Sequence, residues 1–65
     1  MMTYEKNREH LINLLDDLFG HIKSEEEFIQ NQRVLGELEC WMIADGRLTQ
    51  DQILEIEESW SGKAA

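Results

Sequence analysis

The sequence predicts an all-α protein, built from an antiparallel helical hairpin and a short third helix. Apolar residues recur at spacings of three and four, which place them on one face of a helix. None of the 65 residues is proline, so no position forbids a long helix. A helix-start signal precedes each periodic segment. We therefore predict one helical domain over residues 1–60, followed by a flexible C-terminal tail at residues 61–65.

The first helix is predicted over residues 3–19. Thr3 has the side chain of a good N-cap residue, because its hydroxyl can accept a hydrogen bond from the first free backbone N–H groups. Gly20 follows the last apolar position and is expected to close the helix in the left-handed conformation. The apolar face predicted for this helix contains Tyr4, Leu11, Leu14, Leu15, Leu18 and Ile22.

The second helix is predicted over residues 25–43. Ser24 and Glu27 form a Ser-x-x-Glu capping box, in which each side chain satisfies a backbone N–H of the other. The connection from the first helix is short, which favours an antiparallel hairpin. A heptad-spaced face on the second helix contains Phe28, Asn31, Leu35, Leu38 and Met42.

A third helix is predicted over residues 50–60, after a turn at Asp45-Gly46. Thr49 and Gln52 form a second capping box at its start. The preceding segment, residues 34–43, is apolar on nearly every side and must be covered on more than one side. The third helix can cover part of it. A second copy of the chain is expected to cover the rest, which predicts a homodimeric helical bundle.

The charge is strongly acidic, with fourteen Asp and Glu against six Lys and Arg and a net charge of −8. Direct binding to nucleic acid or to an anionic membrane requires a basic face, so neither ligand is expected. No apolar stretch approaches the roughly 18 residues that span a bilayer, and the N-terminus lacks the apolar core of a secretory signal. These features predict a cytoplasmic protein.

No metal or other cofactor is expected. Residues 45–52 resemble the second half of a calcium-binding EF-hand loop, but Trp41 and Ile43 would occupy its first and third ligand positions. Gln52 would occupy the closing position, which requires a carboxylate. His10 and His21 are too few and too far apart in sequence to predict a transition-metal site.

Catalysis is not expected either. The sequence contains no glycine-rich phosphate loop and no Gly-x-Ser-x-Gly motif. Cys40 is the single cysteine, so no intrachain disulfide can form. It has no evident general base beside it, which favours a buried structural thiol over a nucleophile.

The function predicted from these features is a small protein-interaction module that regulates or escorts a protein partner. Glu55, Glu57 and Glu58 would form an acidic rim that favours a basic partner. The alternative is an inhibitor of a DNA-binding protein, of phage or prophage origin, whose acidic faces mimic nucleic acid. The surface predicted for partner binding or self-association contains Val34, Leu38, Trp41, Met42 and Trp60, because tryptophan and methionine are enriched at interfaces.

Overall fold

A computed structural model describes the backbone of residues 3–64 and the side chains of residues 3–61. Its three helices are α1 (Tyr4–Phe19), α2 (Glu25–Ala44) and α3 (Gln50–Ala64). No strand occurs in this described part of the chain, so the all-α prediction is confirmed. Helix α3 continues four residues beyond its predicted end, into the segment that we expected to be a flexible tail. Ala65, the last residue of that predicted tail, lies outside the described residues.

The side-chain caps predicted for all three helix starts are present. The Thr3 hydroxyl accepts a hydrogen bond from the Lys6 amide at 3.3 Å, and the Ser24 hydroxyl accepts one from the Glu27 amide at 3.2 Å. The Glu27 carboxylate accepts from the Lys23 amide rather than from Ser24, so this capping box is shifted by one residue.

The cap of α3 is reciprocal. The Thr49 hydroxyl accepts from the Gln52 amide at 3.2 Å, and the Gln52 side-chain oxygen accepts from the Thr49 amide at 3.0 Å. We expect Thr49→Ala to lower the free energy of unfolding by about 1 kcal/mol, because it leaves a helix N–H without its partner. Thr49→Ser keeps the hydroxyl and is the control. We expect it to change the free energy of unfolding by only about a few tenths of a kcal/mol. Urea denaturation followed by circular dichroism measures both; equal losses would contradict a role for the cap.

Two glycines mark the turns in different ways. Gly46 has a positive φ of 72°, as the Asp-Gly turn predicts. Gly20 ends α1 as predicted, but its φ of −71° is right-handed, so the expected left-handed closure was wrong. A Cβ atom at Gly20 would collide with the carbonyl oxygen of Asp16. Gly20 is therefore explained by close packing against the preceding turn rather than by its freedom to adopt positive φ.

The hydrophobic core is centred on α1. This helix packs against both α2 and α3, whereas α2 and α3 contact each other much less. Leu11 and Ile56 are the most deeply buried apolar side chains, with 0% and 1% of their surface exposed. The third helix therefore covers α1 more than it covers the apolar segment of α2. The buried apolar residues are Leu11, Leu15, Leu35, Met42, Leu48, Ile53 and Ile56.

Buried or half-buried polar side chains connect the elements. The Asn7 side chain is buried and donates a hydrogen bond to the Arg47 carbonyl at 2.9 Å, which joins α1 to the loop before α3. At the other end of α1, the side-chain amide of Asn31 on α2 donates a hydrogen bond to the backbone carbonyl of Leu18 at 2.6 Å. These two bonds hold the ends of α1 against different parts of the chain.

Candidate protein-binding surface

Helix α2 buries one face and leaves the opposite face uncovered. Leu35 and Met42 point into the core, with 7% of each side chain exposed. At about 100° per residue, the positions opposite them are occupied by Arg33, Glu37 and Cys40, and these side chains are exposed. We call the exposed side of α2 between residues 29 and 44 the outer face of α2.

Large apolar side chains lie on both flanks of the outer face. Trp41 is 68% exposed, Ile29 is 57% exposed and Val34 is 43% exposed. A single exposed apolar residue is ordinary on a soluble protein, but a contiguous group is typical of an interaction site. Trp41 stands out because tryptophan is enriched among the residues that dominate binding energy.

A shallow groove runs along the outer face of α2. It is lined by Arg33, Gly36, Glu37, Cys40 and Trp41. Cys40 is exposed here, so the prediction of a buried structural thiol was wrong. The prediction failed because the apolar residues on both sides of Cys40 suggested an all-round buried helix, whereas only one side of α2 faces the core.

The residues predicted for partner binding are divided by the fold. Val34 and Trp41 are exposed on α2, whereas Leu38 is half-buried. Met42 lies in the core, so the structure places it away from the surface where we expected it. Trp60 is half-buried and packs against the core. Since Met42 and Trp60 already have partners within the chain, we remove both from the candidate surface.

The contacts of Trp60 explain its position. Its indole N–H donates a hydrogen bond to the Asp16 carboxylate at 2.6 Å, which joins the end of α3 to α1. Its ring lies 6.3 Å from that of Phe19, and Phe19 in turn meets Phe28 of α2 edge to face at 5.5 Å. Trp60 therefore closes one end of the three-helix unit.

The predicted acidic rim is also divided. Glu55 and Glu58 are exposed, but Glu57 is half-buried and faces Glu39 of α2. Burial, followed by the nearby charge of Glu57 and a hydrogen bond with it, raises the pKa of Glu39 to about 7. Two carboxylates can share a hydrogen bond only when one of them carries a proton. The side-chain oxygen Oε2 of Glu39 is inaccessible to water. Unless one of the two carboxyl groups is protonated, this oxygen has no hydrogen-bond partner.

Other kinds of site find little support among the described residues. A cleft between α1 and the end of α2, partly lined by His10, Leu14 and Trp41, has a volume of about 160 Å³. This volume is below the usual range for small-molecule pockets, about 300–1,000 Å³, whereas the groove on the outer face of α2 has about 640 Å³ but is open to solvent along its length. No group of three or more potential metal ligands occurs in the described part of the chain. Within residues 3–64, no helix combines the length and apolarity needed to cross a membrane.

The outer face of α2 was only partly visible in the sequence. Trp41 and Val34 were identified by residue type, but Ile29, Arg33, Gly36 and Glu37 were missed as surface residues. The signal that could have found them is the second heptad on α2, at positions 26, 30, 33, 37, 40 and 44. It runs opposite the buried heptad and mixes charged with small residues, so hydrophobic periodicity alone did not reveal it.

Comparison with known proteins places the chain in no established group: no protein-family model matches it, and searches of curated proteins and of solved structures found no match.

Proposed function

We propose that this protein is a small cytoplasmic protein-interaction module that regulates or escorts its partner, and that the outer face of α2 is its binding surface. The observation that carries the proposal is the exposure of Trp41, at 68%, on the same flank of α2 as Val34 and at the edge of the groove that it lines. Burying a large aromatic side chain against a partner removes apolar surface from water, which favours association.

The arrangement of the helices supports this location. An antiparallel pairing of α1 and α2 agrees with the contacts at both ends of α1: Phe19 meets Phe28 at the start of α2, and His10 shares a cleft with Met42 near the end of α2. In such a hairpin, α1 occupies one side of α2. Helix α3 packs mainly on α1, so the other side of α2 has no cover within the described chain.

The surrounding charge favours a partner with basic or mixed character. Glu37 lies within the groove, and the chain as a whole carries a net charge of −8. Complementary charge at the edge of an interface mainly raises the association rate and selects the partner, whereas buried apolar contacts supply most of the affinity. Binding through the outer face of α2 should therefore persist in high salt.

The test is capture of the partner from an extract of the native cells by the tagged protein. Trp41→Ala should abolish capture, because it removes the largest exposed apolar side chain from the proposed surface. Leu54→Ala is the control. Leu54 is another large exposed apolar side chain, with 56% of its surface accessible, but it lies on α3. We expect it to retain the partner at both low and high salt.

The opposite result would favour nucleic-acid mimicry. A partner that is lost in high salt but retained by Trp41→Ala would be held by charge rather than by the apolar surface. Charge reversal at the exposed acids Glu25, Glu26, Glu55 and Glu58 would then be expected to abolish capture.

A further inference from the structure

We propose that the outer face of α2 binds a second copy of this chain, with the two α2 helices packed antiparallel about a twofold axis level with Leu35. This inference rests on the proposed function, because it names the partner of the same surface. It is carried by two features of the described residues: a self-complementary charge pair, and apolar side chains placed to meet across the axis.

The charge pair is Arg33 and Glu37. The two residues are four positions apart, so they lie side by side on the outer face. Neither side chain forms a salt bridge among residues 3–61. In an antiparallel pair centred on Leu35, Arg33 of each copy lies opposite Glu37 of the other, which gives two symmetric ion pairs. A parallel pair in register would instead place like charges together, which opposes that arrangement.

The apolar flanks meet in the same register. Side chains on a helix lean toward its own N-terminus, so Trp41 of one copy leans toward Val34 of the other. On the opposite flank, Ile29 of one copy comes level with Cys40 of the other. Because these four side chains are all exposed, the pairing would remove them from water.

Gly36 lies beside the axis and lets the two helices approach. A glycine in a helix interior costs about 1 kcal/mol relative to alanine. Apart from its chain neighbours and the backbone of its own helix, no atom of the described residues lies within 4 Å of a Cβ built at Gly36, so packing within one copy does not require the glycine. A second helix crossing at this point would benefit from the missing side chain.

Sedimentation equilibrium tests the inference on the full chain at physiological salt, which screens the repulsion between two copies of net charge −8. We expect a monomer–dimer equilibrium in the micromolar range or tighter. A chain that stays monomeric up to submillimolar concentration would overturn the inference. In that case the proposed function would survive if Trp41→Ala still abolished capture of a different protein.

A charge-swap experiment tests the register. Arg33→Glu alone and Glu37→Arg alone should each weaken self-association at least about tenfold, because each places like charges across the axis. Mixed in equal amounts, the two variants should form a heterodimer with both ion pairs restored. Dimerisation of the native chain with no recovery in the mixture would overturn the antiparallel register.

A third variant tests the close approach of the helices. Gly36→Leu is expected to fold, since the site has open space around it, and to weaken self-association at least about tenfold by holding the helices apart. Circular dichroism checks folding of the variant. A folded Gly36→Leu protein with native dimer affinity would contradict a crossing at this position.

Discussion

Leu11→Ala is expected to lower the free energy of unfolding by about 2–5 kcal/mol, the largest effect of any single substitution that we predict. Leu11 is 0% exposed and lies on α1, the helix that packs against both of the others. Truncation removes buried apolar surface and leaves a cavity that the surrounding side chains fill only in part. A domain of 65 residues has a net stability of about 3–10 kcal/mol, so this loss is a large fraction of the total.

Leu54→Ala provides the matched control for Leu11→Ala. The same atoms are removed, but Leu54 is 56% exposed, so we expect a change of less than about 1 kcal/mol. Urea denaturation at one fixed protein concentration measures both variants, because self-association would make apparent stability depend on concentration. Equal losses would contradict a core centred on α1. If Leu11→Ala is too unstable to measure, Ile56→Val offers a milder test, with an expected loss of about 0.5–1.5 kcal/mol.

The second large effect is a decrease in stability as the pH rises toward 8. The pKa of Glu39 is raised from 4.5 to about 7 in the folded protein, chiefly by burial and then by the charge of Glu57. Between these two pH values the folded state holds a proton that the unfolded state has released. The stabilisation is therefore complete below about pH 4.5 and is lost as the pH rises through about 7.

The size of the effect is limited by solvent. The whole shift would correspond to about 3 kcal/mol, but Glu39 is only partly buried and its charge is screened by water. We therefore expect the native protein to lose about 1–2 kcal/mol of stability between pH 5 and pH 8 through this pair. Urea denaturation at several pH values across this interval measures the loss.

Glu39→Gln removes the titration while keeping the shape of the side chain. We expect this variant to be more stable than the native protein at pH 8 and to lose most of the pH dependence. Glu58→Gln is the control, because it removes the same charge from an exposed position on α3 and should leave the slope unchanged. If stability fell equally steeply with pH in the two variants, general charge repulsion, rather than the Glu39–Glu57 pair, would be the cause of the pH dependence.

Several parts of the fold could be predicted from the sequence because they depend on neighbouring residues. The caps at Thr3, Ser24 and Thr49 join a side chain to a backbone N–H three residues away, so residue type and spacing are sufficient. The positive φ at Gly46 follows from the Asp-Gly turn. The helices themselves follow from apolar periodicity and the absence of proline.

The placement of individual side chains was less predictable. Trp41, Met42 and Trp60 have similar apolar character, yet the first is exposed, the second is buried and the third is bonded to Asp16. Local pattern could not separate them, because burial depends on which helix lies opposite. Cys40 and the Glu39–Glu57 pair were missed for the same reason.

The helical class, the helix starts and the acidic charge follow from the amino-acid sequence, because each depends on residue type or on contacts within one turn of the chain. The face of α2 that is left uncovered depends instead on how the three helices pack together. Helix α3 packs mainly against α1, a choice made by long-range contacts of side chains such as Ile56 with the core. Because a helix packed on α1 cannot also cover the outer face of α2, this packing leaves Trp41 exposed. The same packing brings Glu57 of α3 beside Glu39 of α2.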